Sequence, residues 1–397
     1  MPIRKPTLLS LFLIVFIDLI GFGLMMPLLP YFARDFGATG AMVGWLIGVF
    51  SLMQFVFAPL WGQLSDRLGR RPILLVSLAG STASYLLLGL AHGYGLLLAA
   101  RILAGICAAN IAVANAYVAD ITTKENRSKG MGLIGAAFGI GFVFGPVLAA
   151  CFGKNGHALP AFIASGISAT SFLLTLVYLP ESHPAEKRST SAFSLWKNPF
   201  AGWNEALALP FIAPLAAISC LSNVAMAQWE TTFALYLKEN PAFGYGIGTV
   251  GKLFAFVGLL SAVMQGGLLG RLVKRFGEGA LLQAGLLGTA LGILLMPFSP
   301  GLGLLLASLA LFGLAMGMIR PVLSGTASLA TSPEKQGLVL GVILASGSIG
   351  RIAGPLLGGW LFDLGHAFPF YAAAAIGLVM LSLSPRPAQI AAVKASE

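Results

Sequence analysis

Long apolar runs, broken at near-regular intervals by short polar or glycine- and proline-containing breaks, are the dominant pattern along this chain. A hydrocarbon layer of about 30 Å is crossed by about 20 apolar residues of helix. Runs of that length fall at 7–29, 41–63, 72–91, 96–118, 129–152, 159–179, 209–236, 247–269, 278–298, 302–325, 337–361 and 368–384. The pattern predicts twelve spans in an all-α integral membrane protein. The one long polar stretch, 180–206, reads PESHPAEKRSTSAFSLWKNPFAGWNEA and falls between spans six and seven. The chain therefore divides into an N-terminal six-helix bundle (1–179), a linker (180–206) and a C-terminal six-helix bundle (207–397).

Composition agrees. Of 397 residues 57% are hydrophobic and only 10% charged, too few charges to cover the water-facing surface of soluble domains of this length. The net charge of +10 takes its meaning from where the bases sit. With the N-terminus inside, the inner segments hold Arg4, Lys5, Arg67, Arg70, Arg71, Lys124, Arg127, Lys129, Lys187, Arg188, Lys197, Arg271, Lys274, Arg275, Lys335, Arg386 and Lys394, while the outer loops hold Arg34, Lys154 and Lys238. This asymmetry places both termini in the cytoplasm and assigns the surplus charge to the inner lipid surface rather than to nucleic acid. The first run is full span length with no small-residue cleavage site, so it reads as a retained helix. Cys107, Cys151 and Cys220 sit in or beside apolar runs without metal-ligand spacing, which supports neither a disulfide framework nor a metal site.

The halves echo each other. Gly62 and Arg67 of GQLSDRLG match Gly266 and Arg271 of GGLLGRLV at an offset of 204, and GFVFGPVLAA from Gly141 matches GRIAGPLLGG from Gly350 at 209. Two parallel six-helix repeats, with a substrate site near the midplane, are a recurrent transporter plan.

Ionisable groups inside spans cost roughly 2.5–3.5 kcal/mol on insertion scales and mark function. Asp18 lies about 16 Å along its helix from Thr7, near the midplane. Glu230 stands in the outer half of span seven, and Arg101, Lys252, Arg320 and Arg351 are the in-span bases. Asp18 and Glu230 are candidate proton sites. Each also has a plainer reading, as a hydrogen-bonded structural acid or one paired with a neighbouring base such as Lys252 or Arg101. Gln54, Asn110, Asn115, Asn223, Gln228, Trp229, Gln265 and Arg351 supply the polar points of an otherwise apolar cavity suited to an amphipathic ligand; helix-to-helix hydrogen bonding is the alternative for each.

The residues resemble the major facilitator superfamily, and within it the twelve-span drug:proton antiporters typified by the tetracycline efflux proteins. GQLSDRLGRRP (Gly62 to Pro72) resembles the superfamily's loop signature between spans two and three. DLIGFGLMMPLLP (Asp18 to Pro30) is similar to the group's first helix, RILAGICAANIAVANAYVADIT (Arg101 to Thr122) to its fourth, and Gly141, Gly145 and Pro146 to its glycine-proline antiporter motif, with Ala149 and Ala150 where glycines are usual. The resemblance implies a conformational gate of Gly62, Asp66, Arg67, Gly69, Arg70, Arg71 and Asp120, with Arg70 bridging to Asp120 and Asp66 facing the positive N-terminal end of span eleven. A plainer reading makes the three arginines inner-face anchors. The resemblance also implies that Arg101 modulates protonation of a nearby acid, and that spans one, four, seven and ten line the cavity. Two acids of the tetracycline exporters are absent here: Ser84 stands at one position and LLGTALGIL holds none at the other, which argues against tetracycline as substrate.

The expectation is proton-coupled efflux of hydrophobic or amphipathic small molecules by alternating access, in a bacterial inner membrane, by a monomer with no cofactor. The rivals are import of a sugar or organic anion, which the spare arginines suit, and a membrane-embedded enzyme or channel, for which no nucleophile motif or phosphate loop is present.

Overall fold

The computed structural model describes residues 8–108, 110–123, 126–188, 202–332 and 334–385. Arg4, Lys5, Lys124, Lys197, Arg386 and Lys394 of the inner-face belt, and residues 189–201 of the polar linker, lie outside the described residues. The elements are α1 (Leu8–Met25), α2 (Leu29–Asp35), α3 (Gly40–Leu68), α4 (Arg70–Gly89), α5 (Tyr94–Cys107), α6 (Asn110–Ile121), α7 (Arg127–Phe152), α8 (Ala158–Tyr178), α9 (Trp203–Leu207), α10 (Ile212–Glu239), α11 (Ile247–Val263), α12 (Leu269–Leu295), α13 (Leu302–Leu329), α14 (Gln336–Leu364) and α15 (Phe368–Leu383).

Among the described residues ten helical stretches are long and apolar enough to cross a membrane. One, Ile247–Leu295, is 49 residues long, about twice what a bilayer needs, and contains both the eighth and ninth runs of the sequence. A π-helical turn at Met264–Leu268 joins α11 to α12, and within α12 the chain turns at Gly277, where φ is +78°. Only glycine takes that conformation without strain, so one residue does the work of a loop. The last run is a helix of 16 residues, α15.

Two breaks went unsignalled by the apolar pattern. The first run ends at Met25 and resumes as α2, with Pro30 in the first turn of the new helix, where its missing N–H costs nothing. The fourth run breaks at Ala108, whose ψ of 53° is not helical. Nothing in the local composition marks that break, because alanine is a strong helix former.

Contacts divide the chain into two units. The first is 1–37, 49–199 and 247–252; the second is 38–48, 200–246 and 253–397. In the first unit α1 packs along α7 through glycines: a Cβ on Gly145 would run into the backbone of Gly23, and one on Gly141 into Leu19. In the second, α14 packs along α10 through Gly347, Gly350, Gly354 and Gly358, which meet Ser219, Asn223, Val224 and Gln228. Small residues permit such backbone approach, and in lipid that packing rather than hydrophobic burial draws helices together. Of the glycines in the span-five run, Gly135 and Gly139 face open space and do not pack. The first nine residues of α3 belong to the second unit, where Asp363 at the end of α14 accepts hydrogen bonds from the N–H groups of Gly40 (2.6 Å) and Ala41 (2.7 Å), and a carboxylate there also meets the positive end of the helix.

Candidate functional site

In the first unit Asp18 is only 5% exposed. The side-chain amide of Asn110 donates to Asp18 Oδ2, and Ser168 Oγ, itself fully buried, donates to Oδ1 at 3.3 Å. These donors come from α6 and α8, so three helices converge on one carboxylate. Arg101 is 2% exposed and lies 4.3 Å over the ring of Phe50, a cation on the negative face of an aromatic ring. Tyr85 on α4, buried at 6%, feels the charges of both Asp18 and Arg101. Sequence reading brought Asp18, Asn110 and Arg101 forward but missed Tyr85 and Ser168. Tyr85 adjoins Ser84 on α4. Of the other polar candidates in this unit, Gln54 donates to the carbonyl of Ala108 at 3.4 Å, satisfying the backbone next to the α5–α6 break, and Asn115 is half-buried.

At one end of the same unit, around the α3–α4 turn, the side chain of Arg70 is drawn inward. Its side chain is 9% exposed and donates to Asp66 Oδ1 (2.6 Å), Asp120 Oδ2 (3.0 Å) and Ser65 Oγ (2.7 Å). Arg70 is thus paired within the protein. Arg71 donates to the carbonyl of Leu176 at 2.7 Å. Gly69, with φ of +104°, lets α3 turn directly into α4. A residue the motif did not indicate completes the cluster: Glu181 accepts from the N–H groups of Arg70 (2.8 Å) and Arg71 (3.2 Å), capping α4. Ser182 donates to Asp120 at 3.1 Å, and His183 Nδ1 lies 3.8 Å from the same carboxylate. Gly62 faces open space.

In the second unit the candidates split. Gln228 and Trp229 are buried at 0% and 3%, so neither opens onto a cavity. Gln228 packs against Gly358, and its amide has no hydrogen-bond partner among the described residues; Trp229 packs with Phe233, Phe254 and Phe312 at centroid separations of 4.7–5.0 Å. The physical reason is position: both sit on faces of α10 that meet other helices. Asn223 turns its amide back onto the carbonyl of Ser219 (2.8 Å), and Gln265, exposed in the π turn, donates to Ser261 (3.1 Å). Glu230 is partly open, and Arg320 and Arg351 are open. Arg351 feels the charges of Arg320 and of Glu230.

A family model described as Major Facilitator Superfamily matches residues 11–282 and 266–397. The chain is 33% identical over 346 residues to the class C tetracycline resistance protein of Escherichia coli, covering 86% of each chain. It is 31% identical to multidrug resistance protein 2 of Bacillus subtilis (strain 168), covering 96% of this chain and 95% of that one. Among solved structures, the human organic anion transporter TETRAN matches with a TM-score of 0.71 at 27% identity, over 96% of this chain and 100% of the other.

Proposed function

Because the chain belongs to the major facilitator superfamily, we propose that it is a proton-coupled exporter of hydrophobic or amphipathic small molecules, working by alternating access and not as an enzyme. In this reading the chain crosses the membrane twelve times, the 49-residue stretch counting as two crossings and α15 as the last. Both termini lie in the cytoplasm of a bacterial cell, in two six-helix bundles joined by the 180–206 linker. The efflux and multidrug resistance proteins to which it is similar support export as the direction.

The observation that carries the reading is Asp18. A carboxylate at mid-span, held by Asn110 and Ser168 and linked through Tyr85 to the charge of Arg101, is a built acid rather than a stray one. Proton uptake there changes the charge of a dry site, and a change of that kind shifts the balance between two conformations by its differential stability in each. The cluster of Asp66, Arg70, Asp120 and Glu181 is the matching cytoplasmic gate, because it ties the α3–α4 turn to α6 and to the end of α8. Glu230 is the second ionisable group, and Gln54, Asn115, Asn223 and Gln265 are polar points along the route.

The test is transport of ethidium in proteoliposomes under an imposed pH gradient. Ethidium is expected to move against the proton gradient in wild type and to lose gradient dependence in Asp18→Asn. Movement that ignores the gradient in wild type overturns the reading.

A further inference from the structure

We infer that the second unit carries a binding site for the anionic group of an amphipathic substrate, formed by the guanidinium groups of Arg320 and Arg351 beside the carboxylate of Glu230. This rests on the transport reading above and names its substrate class.

The geometry comes first. On α14 the exposed apolar residues Ala353, Leu357, Trp360 and Leu364 form the stripe suited to lipid. At 100° per residue they lie about 180–240° around the helix from Arg351. Arg351 is exposed on the opposite side, between the face of α14 that packs on α10 and the face where Pro355 and Gly359 meet Gly44 and Gly40. On α13 the exposed Leu304 and Leu311 lie about 180–200° from Arg320, while the exposed Leu302 in the first turn shares its side. On α10, between Val224 and Leu237, only Met226 and Glu230 are not buried, and that spacing of four puts them on one face. Arg351 and Arg320 thus lie off these stripes, with the exposed Leu344 one heptad before Arg351 on its face, and Glu230 lies on the open face of α10. Gly358, two turns beyond Arg351, packs at Gln228, so Glu230 stands above Arg351 along the membrane normal.

Charge decides what this arrangement is for. No hydrogen bond or ion pair joins Arg320 or Arg351 to another group among the described residues. Two guanidiniums against one carboxylate leave an excess positive charge at membrane depth, where unpaired bases are costly and mark substrate or ion pathways. Arginine's planar fork matches carboxylate, sulfonate and phosphate oxygens. The apolar wall of α10 and α13 next to it suits the body of an aromatic or aliphatic anion. Binding of the anion supplies the counter-charge that the fold leaves out.

The experiment uses two dyes built on one xanthene ring system but opposite in charge, the anion fluorescein and the cation rhodamine 6G, with purified full-length protein. Equilibrium binding in detergent by fluorescence polarisation decides the site. Wild type is expected to bind fluorescein, and Arg351→Gln and Arg320→Gln to lower the fluorescein-to-rhodamine affinity ratio at least tenfold, with Arg351→Lys keeping part of it. Failure of wild type to bind fluorescein, or equal losses for both dyes in the glutamine variants, overturns the inference. If one variant does not yield monodisperse protein, the other and the wild-type measurement still decide. Gradient-driven transport of the same dyes separates the two readings: rhodamine alone carried sinks the anion site and leaves export standing, whereas anion binding with no gradient-driven transport of either dye sinks export and leaves the site.

Discussion

The two units place an acid and a base in their membrane interiors in opposite ways. In the first, Asp18 is dry and held by Asn110 and Ser168, and Arg101 is buried over Phe50. In the second, Glu230 is partly open and its basic neighbours stand exposed without bonded partners among the described residues. The backbones around them are alike: α1 on α7 and α10 on α14 are both closed by glycine contacts. The same packing plan thus supports a charge satisfied by the protein and a charge left for something else to satisfy. In the reading proposed above the difference separates proton handling from substrate handling, and it can be broken in several ways.

The largest effect is expected where the two units agree. A side chain at Gly145 or Gly350 must push backbone apart, so Gly145→Val and Gly350→Val are each expected to cost about 3 kcal/mol or more and to show as loss of monodisperse protein in detergent. Tolerance of either would mean that the close approach is not what holds those helix pairs. Next comes the contrast itself. Arg101→Gln removes a buried cation–π contact and is expected to cost about 2 kcal/mol, read as a lower melting temperature, whereas Arg351→Gln should melt near wild type because no group among the described residues bonds to it. Equal destabilisation by both would erase the distinction between the units. Asn110→Ala, which leaves Asp18 one donor short in a dry site, should cost about 1–2 kcal/mol; an unchanged melting curve would show that the carboxylate does not depend on the amide. Smallest is Gly139→Ala, within about 0.5 kcal/mol of wild type, since a Cβ there meets nothing; a large loss would show that this part of the glycine run packs after all.

Much of this was legible in the sequence. Apolar runs located the helices within a few residues, because span length is imposed by the bilayer rather than by tertiary detail. Asp18, Arg101 and Arg70 stood out because charge is rare here. What was hidden was partnership. Glu181 reads as the first polar residue of a linker, and only folding brings it onto the N-terminus of α4; Asp363 likewise gives no local sign that it will cap α3, more than three hundred residues away. Gln228 and Trp229 showed as polar points in an apolar helix, but spacing could not tell which side of α10 would be covered. The break at Ala108 had no local cause to read.

The turn at Gly277 bears on how the protein is made. With φ of +78° at one glycine and helix on both sides, the chain turns inside α12 without a loop, and Arg271, Lys274 and Arg275 sit on the ordered approach to that turn. In the proposed topology a ribosome releasing this stretch delivers two membrane crossings with their retaining charges already fixed between them, so the pair is set to integrate as one unit. Replacing Gly277 with a β-branched residue strains that backbone conformation, and the damage should appear as fewer molecules reaching the membrane, each of them working at the normal rate.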